Sequence, residues 1–138
     1  MKAFRKESEL LAPVSGHLRR RGYSRQHEEL QFYDHSIDLY GLSIRDNTTT
    51  AIELKLYRWT RAVQQAMLYQ LCADFVYIAL PTATIANVSL PALKEHGIGL
   101  IAVAPTRCSI VLPAKRSGFV LDRYRDFYRG LLEKGTAA

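Results

Sequence analysis

Apolar residues along this chain change period several times, and the changes lay out its elements. Leu10, Leu11, Val14 and Leu18 recur at helical spacing, which predicts a helix over residues 8–21 stopped by Gly22. Pro13 either marks its first turn, so that the helix proper starts near Ala12, or kinks it. Near-alternation then predicts strands over 28–33, 36–44 and 48–56, with turns at Asp34-His35 and at Arg45-Asp46-Asn47. These three strands make a meander, most simply antiparallel. Thr60 is the expected cap of a helix over 61–73, and 75–80 is a short, fully apolar strand ended by Pro81. A further helix has Ser89 as its cap, Pro91 in its first turn and Gly97 as its stop. Strands over 99–104 and 108–112 and an amphipathic helix over 119–132 complete the order.

That order is α-β-β-β-α-β followed by α-β-β-α. The fourth strand reaches the sheet through a helix, so it is expected to pair parallel to a strand of the meander by a right-handed crossover. The fold class is α/β, a mixed sheet flanked by helices on both faces. With no repeat, low-complexity tract or Gly/Ser linker in 138 residues, residues 1–138 read as a single domain.

Three polar residues interrupt the strand pattern. In Ile52-Glu53-Leu54-Lys55-Leu56 the acid and the lysine share one strand face with Ala51, while the apolar residues share the other. Asp38 breaks a second apolar run, between Ile37 and Leu39, with Ser36, Asp38 and Tyr40 alternating against them. Burying charge without a partner is costly, so these groups need a partner, a metal or a chemical task. If the two strands are neighbours, Asp38 and Glu53 face a common point. Two hard carboxylates suit Mg²⁺, or Mn²⁺, and an adjacent ammonium suits a phosphate undergoing attack by water. In the next helix Gln65 and Tyr69 are four apart, on one face at the edge of the apolar arc.

Asp38, then Glu53-Leu54-Lys55, then Gln65-Ala66-Met67-Leu68-Tyr69, on an α-β-β-β-α-β frame, resembles the PD-(D/E)XK, or restriction-endonuclease-like, phosphodiesterase superfamily. The likeness covers roughly residues 7–80, and Ile37 stands where the eponymous proline would be. The resemblance implies that Asp38 and Glu53 bind the metal, that Lys55 assists the nucleophilic water, and that Gln65 and Tyr69 belong to the same catalytic group. It also implies an ancillary acid from the first helix. Glu9 is favoured for that place, with Glu7, Glu28 and Glu29 as the alternatives. The implied activity is a metal-dependent deoxyribonuclease, and the rival is a non-catalytic nucleic-acid-binding or assembly module that keeps the fold.

Charge agrees with a polyanionic partner. The net charge is +6, and Arg19, Arg20, Arg21 and Arg25 cluster early, while Arg123, Arg125 and Arg129 fall in the last helix. DNA is the expected partner, and a homodimer or partner protein would supply a second cut or a larger groove. Trp59, beside Arg58 and Arg61, either stacks a base or staples the start of its helix. Cys72 and Cys108 are too few and isolated for a disulfide framework or a zinc site. No apolar run reaches the ~20 residues of a membrane span, and no signal-peptide core follows the N-terminal charges, so a cytoplasmic location is expected.

Overall fold

The strand Thr48–Leu54 (β3) is buried at every position. A strand buried on both faces needs a cover on each. In the computed structural model, which describes residues 4–134, β3 lies inside a six-stranded mixed sheet whose spatial order follows the chain. A 3-10 turn, Glu7–Leu10, leads into α1 (Leu11–Arg20), with Pro13 in the first α-turn as one of the two expected arrangements. Strands β1 (Arg25–Phe32) and β2 (His35–Ser43) precede β3. They are followed by α2 (Trp59–Tyr69), β4 (Phe75–Pro81), a 3-10 segment Thr82–Asn87, α3 (Leu90–His96), β5 (Gly99–Val103), β6 (Cys108–Leu112) and α4 (Asp122–Glu133). The meander β1-β2-β3 is antiparallel, β4 runs parallel to β3 and β5 to β4, and β6 returns antiparallel.

Each face of the sheet carries its own core. Leu10, Val14 and Leu18 cover Leu39, Ile52, Leu54, Ala79 and Ile101. On the other face α2, α3 and α4 bring Ala62, Ala66, Leu93, Tyr128 and Leu132 onto Ile37, Tyr40, Ala51, Ile78 and Leu100. The helices therefore flank the sheet as the apolar pattern predicts. No helix among the described residues is long and apolar enough to cross a membrane.

Several boundaries differ from the sequence expectation. The β1–β2 loop is Tyr33-Asp34 rather than Asp34-His35, because Tyr33 takes a positive φ of 54° and Phe32 pairs with His35. Strand β1 begins three residues earlier than predicted, at Arg25, where Gln26 is held by Ser15 and the Tyr23 carbonyl. Thr60 lies inside the first turn of α2, whose N-cap is Arg58, and no side chain caps that helix. Ser89 and Gly97 do bound α3 as expected: Ser89 Oγ accepts the Ala92 N–H, and Gly97 has φ 72°.

At the far end of β3, Asp74 ties three segments together. It is 1% exposed, and its Oδ2 accepts both the Thr49 N–H at 2.9 Å and the Thr49 hydroxyl at 3.2 Å. Its Oδ1 meets Arg116 at 3.6 Å and Arg125 of α4 at 3.9 Å. Asp74→Ala should cost about 3 kcal/mol in urea unfolding, because it strands a buried N–H and a guanidinium. Loss of the exposed partner in Arg116→Ala should cost less than about 1 kcal/mol.

Candidate active site

The backbone between β2 and β3 builds the site. Their ladder runs from Ser43↔Thr48 to Leu39↔Ile52 and stops there. One step further, Asp38 Oδ2 accepts the Leu54 N–H at 2.8 Å. The next amide, Lys55 N–H, goes the other way, to the Ala79 carbonyl of β4 at 3.0 Å. A side chain thus takes the place of a strand neighbour just past the ladder's end, satisfying an amide that would otherwise be orphaned.

Asp38 also sits where the β1–β2 pairing skips a step, opposite Glu29, whose φ is +49°. Ile37 and Leu39 are two apart, yet Ile37 packs under α2 and α4 while Leu39 packs under the first helix. The predicted alternation of Ser36, Asp38 and Tyr40 against Ile37 and Leu39 is therefore broken, since an unbroken strand would put Ile37 and Leu39 on one face. The bend frees Asp38 from the ladder and turns it toward β3.

On β3 the alternation holds. Ala51 joins the α2 core and Ile52 and Leu54 the other, which leaves Glu53 facing α2. Tyr69, at the end of α2 and fully buried, donates its hydroxyl to Glu53 Oε1 at 2.8 Å and lies 3.3 Å from the Ser36 carbonyl. One phenol thus spans the gap between β2 and β3. Lys55 Nζ lies 3.6 Å from Glu53 Oε2, with the lysine side chain 15% exposed. Burial pushes the Glu53 carboxyl up to about 7; the Asp38 charge adds to the rise, and Tyr69 and Lys55 oppose it. Asp38 is also raised, first by burial, with the Leu54 N–H pulling it back and the charge of Glu7 pushing it further up.

The other predicted members fall differently. Gln65 makes no observed bond to Asp38 or Glu53; its Oε1 is buried without a partner one helical turn before Tyr69. Glu9 has another task. Its Oε1 accepts the Arg5 N–H at 2.7 Å and the Lys6 N–H at 3.3 Å, which caps the 3-10 turn and lowers its carboxyl below the usual range. The acid of that turn whose charge reaches Asp38 is Glu7.

No group of three or more His, Cys, Asp and Glu side chains with metal-holding geometry occurs among the described residues. Asp38 and Glu53 are instead two partly compensated carboxylates, with the Asp38 charge felt at Glu53. That donor set fits Mg²⁺ or Mn²⁺, which bind through one or two carboxylates and keep water in their remaining positions.

Beside Lys55 opens a cleft of about 390 Å³. Arg5, Lys6, Arg58 and Arg61 join Lys55 along it, with Glu7 as its acid. The first turn of α2 holds no acidic residue, so the positive end of the helix adds to this field. Trp59, partly buried, packs against the α2 core at the start of its helix. The exposed aromatic of the cleft is its neighbour Tyr57. Sequence reasoning passed over Tyr57, Arg5 and Lys6; the signal was the cation-aromatic interleaving of Lys55, Tyr57, Arg58 and Arg61.

No family model matches the chain, and no curated protein matches it in sequence. Among solved structures, a protein of unknown function from Silicibacter pomeroyi is similar over 99% of this chain and 89% of its own, with a TM-score of 0.76 and 22% identity. That likeness concerns the fold.

The raised Glu53 carboxyl has a pH signature. Its folded value near 7 lies above the ordinary 4.5, so the folded state holds a proton that the unfolded state has released. Stability in EDTA should be greatest below about pH 4.5 as far as this group is concerned, and fall by up to about 3 kcal/mol as pH rises through 7. Denaturant unfolding across that range measures the slope, and Glu53→Gln should flatten it.

Proposed function

We propose that this protein is a metal-dependent phosphodiesterase that cuts DNA, built on the restriction-endonuclease-like core that its sequence resembles. The observation that carries this reading is the meeting of Asp38, Glu53 and Lys55 at the gap between β2 and β3, where Asp38 bonds the Leu54 N–H and Lys55 lies 3.6 Å from Glu53. A charged cluster that only stabilised the sheet would be better paired. Here two carboxyls are pushed up by burial, and one ammonium serves both.

Asp38 and Glu53 would hold the ion. When bound, Mg²⁺ or Mn²⁺ lowers the pKa of a coordinated water and neutralises charge on the phosphate. Lys55, a movable point charge on a mostly buried stem, orients the attacking water or offsets charge on the phosphate as the new P–O bond forms and the ester bond breaks. Tyr69 is a positioning residue: its hydroxyl fixes one Glu53 oxygen and leaves the other toward Lys55. The cations of the adjoining cleft supply phosphate contacts. A covalent nucleophile is not needed, and neither thiol suits one, since burial raises both, Cys108 to about 11.

Cleavage of linear, nicked, single-stranded and branched DNA tests this reading, with Mg²⁺ or Mn²⁺ against EDTA. Wild type should cut at least one substrate only with metal. Asp38→Ala and Glu53→Ala should abolish cutting, and Lys55→Ala should lower kcat by about 10²-fold or more. DNA binding without cutting on any substrate, indifferent to metal and to Asp38, would instead identify a non-catalytic binding module.

A further inference from the structure

The cleft beside Lys55 carries more than phosphate-binding charge. Tyr57, two residues beyond Lys55, is 62% exposed, and it shares the cleft with Arg5, Lys6, Arg58 and Arg61. An aromatic ring left in water among cations has little to do for the core, whose aromatic at this point is Trp59. In a double helix the bases are stacked inside, so a ring next to the phosphates finds none to meet. In a single strand every base offers a face, and base–aromatic stacking beside a cationic backbone track is how unpaired strands are held.

Size points the same way. A cleft of about 390 Å³ is near the lower end of small-ligand pockets, about 300–1,000 Å³, and suits a nucleotide-sized length of one strand. The Thr84 hydroxyl donates to the Leu56 carbonyl at 2.8 Å and fixes the backbone just before Tyr57. The ring therefore projects from an anchored segment.

We propose that this cleft binds single-stranded DNA, with Tyr57 stacking on one base and Arg58 and Arg61 holding the flanking phosphates. The proposal rests on the phosphodiesterase reading only for its direction: it names the strand that the cleft delivers to Lys55 and the two carboxylates.

Fluorescence anisotropy in EDTA, where nothing is cut, tests it with a labelled oligothymidylate and a duplex of the same length. Wild type should bind the single strand about tenfold or more tighter than the duplex. Tyr57→Ala should weaken single-strand binding about tenfold and leave duplex binding unchanged, while Tyr57→Phe keeps wild-type affinity. Arg58→Ala with Arg61→Ala should reduce the salt slope of single-strand binding by about 1.4. Equal affinity for the two forms, no effect of Tyr57→Ala, or no binding of either would overturn the proposal. Because binding is read without metal, intact Tyr57-dependent binding in a protein that never cuts would count against hydrolysis alone. Metal-dependent cutting without this preference would count against the single-strand cleft alone.

Discussion

The bond from the Leu54 N–H to Asp38 Oδ2, 2.8 Å long, sits where two strands stop being partners. Beyond Leu39↔Ile52 the chain faces a choice familiar to any sheet: keep pairing, or leave amides unpaired in the interior. Here β2 bends away at Asp38, helped by the left-handed turn of Glu29 on its other side. The Asp38 carboxylate then satisfies β3, and Tyr69 bridges what remains of the gap through Ser36 and Glu53. The opening exists because side chains replace the ladder.

Asp74 and the Asp38–Glu53 pair show two ways of burying an acid. Asp74, at the opposite end of β3, receives an N–H, a hydroxyl and two guanidiniums, and it pins α4 and the chain after β6 to the sheet. Glu53 is as deeply buried, 3% exposed, but receives a single phenol and one ammonium at 3.6 Å, with a second carboxylate at hand. The first arrangement is closed. The second keeps electrostatic demand unmet, the condition in which a divalent cation binds with gain rather than loss. Arg5, Lys6, Arg58 and Arg61 sit outside this demand, lining the adjoining cleft together with Lys55.

Much of this was legible in the chain. Order and type of the elements follow from period changes, and the Ile52-Glu53-Leu54-Lys55-Leu56 alternation correctly places Glu53 opposite Ile52 and Leu54, because β3 is regular. The pairing of Gln65 with Tyr69 located the helix face, although only Tyr69 makes the bond. What the sequence hid depends on irregular backbone or on distant partners. The break in pairing at Asp38 lies opposite a positive φ at Glu29, a residue type that gives no warning of one. The use of Glu9 as a cap depends on a 3-10 turn ahead of α1, which periodicity does not distinguish from an α-turn. The exposure of Tyr57, against the packing of Trp59, is decided by which of the two aromatics at the start of α2 turns toward the core.

The central claim is that Asp38 and Glu53 form one divalent-cation site. Calorimetric titration of Mn²⁺ into the protein without DNA tests it most directly, for wild type, Asp38→Asn and Glu53→Gln. Both substitutions keep shape, and the asparagine oxygen still accepts the Leu54 N–H. The account predicts one saturable site per chain in wild type, weakened about tenfold or more in each variant. Undiminished binding in both variants, or no binding by wild type, would contradict it.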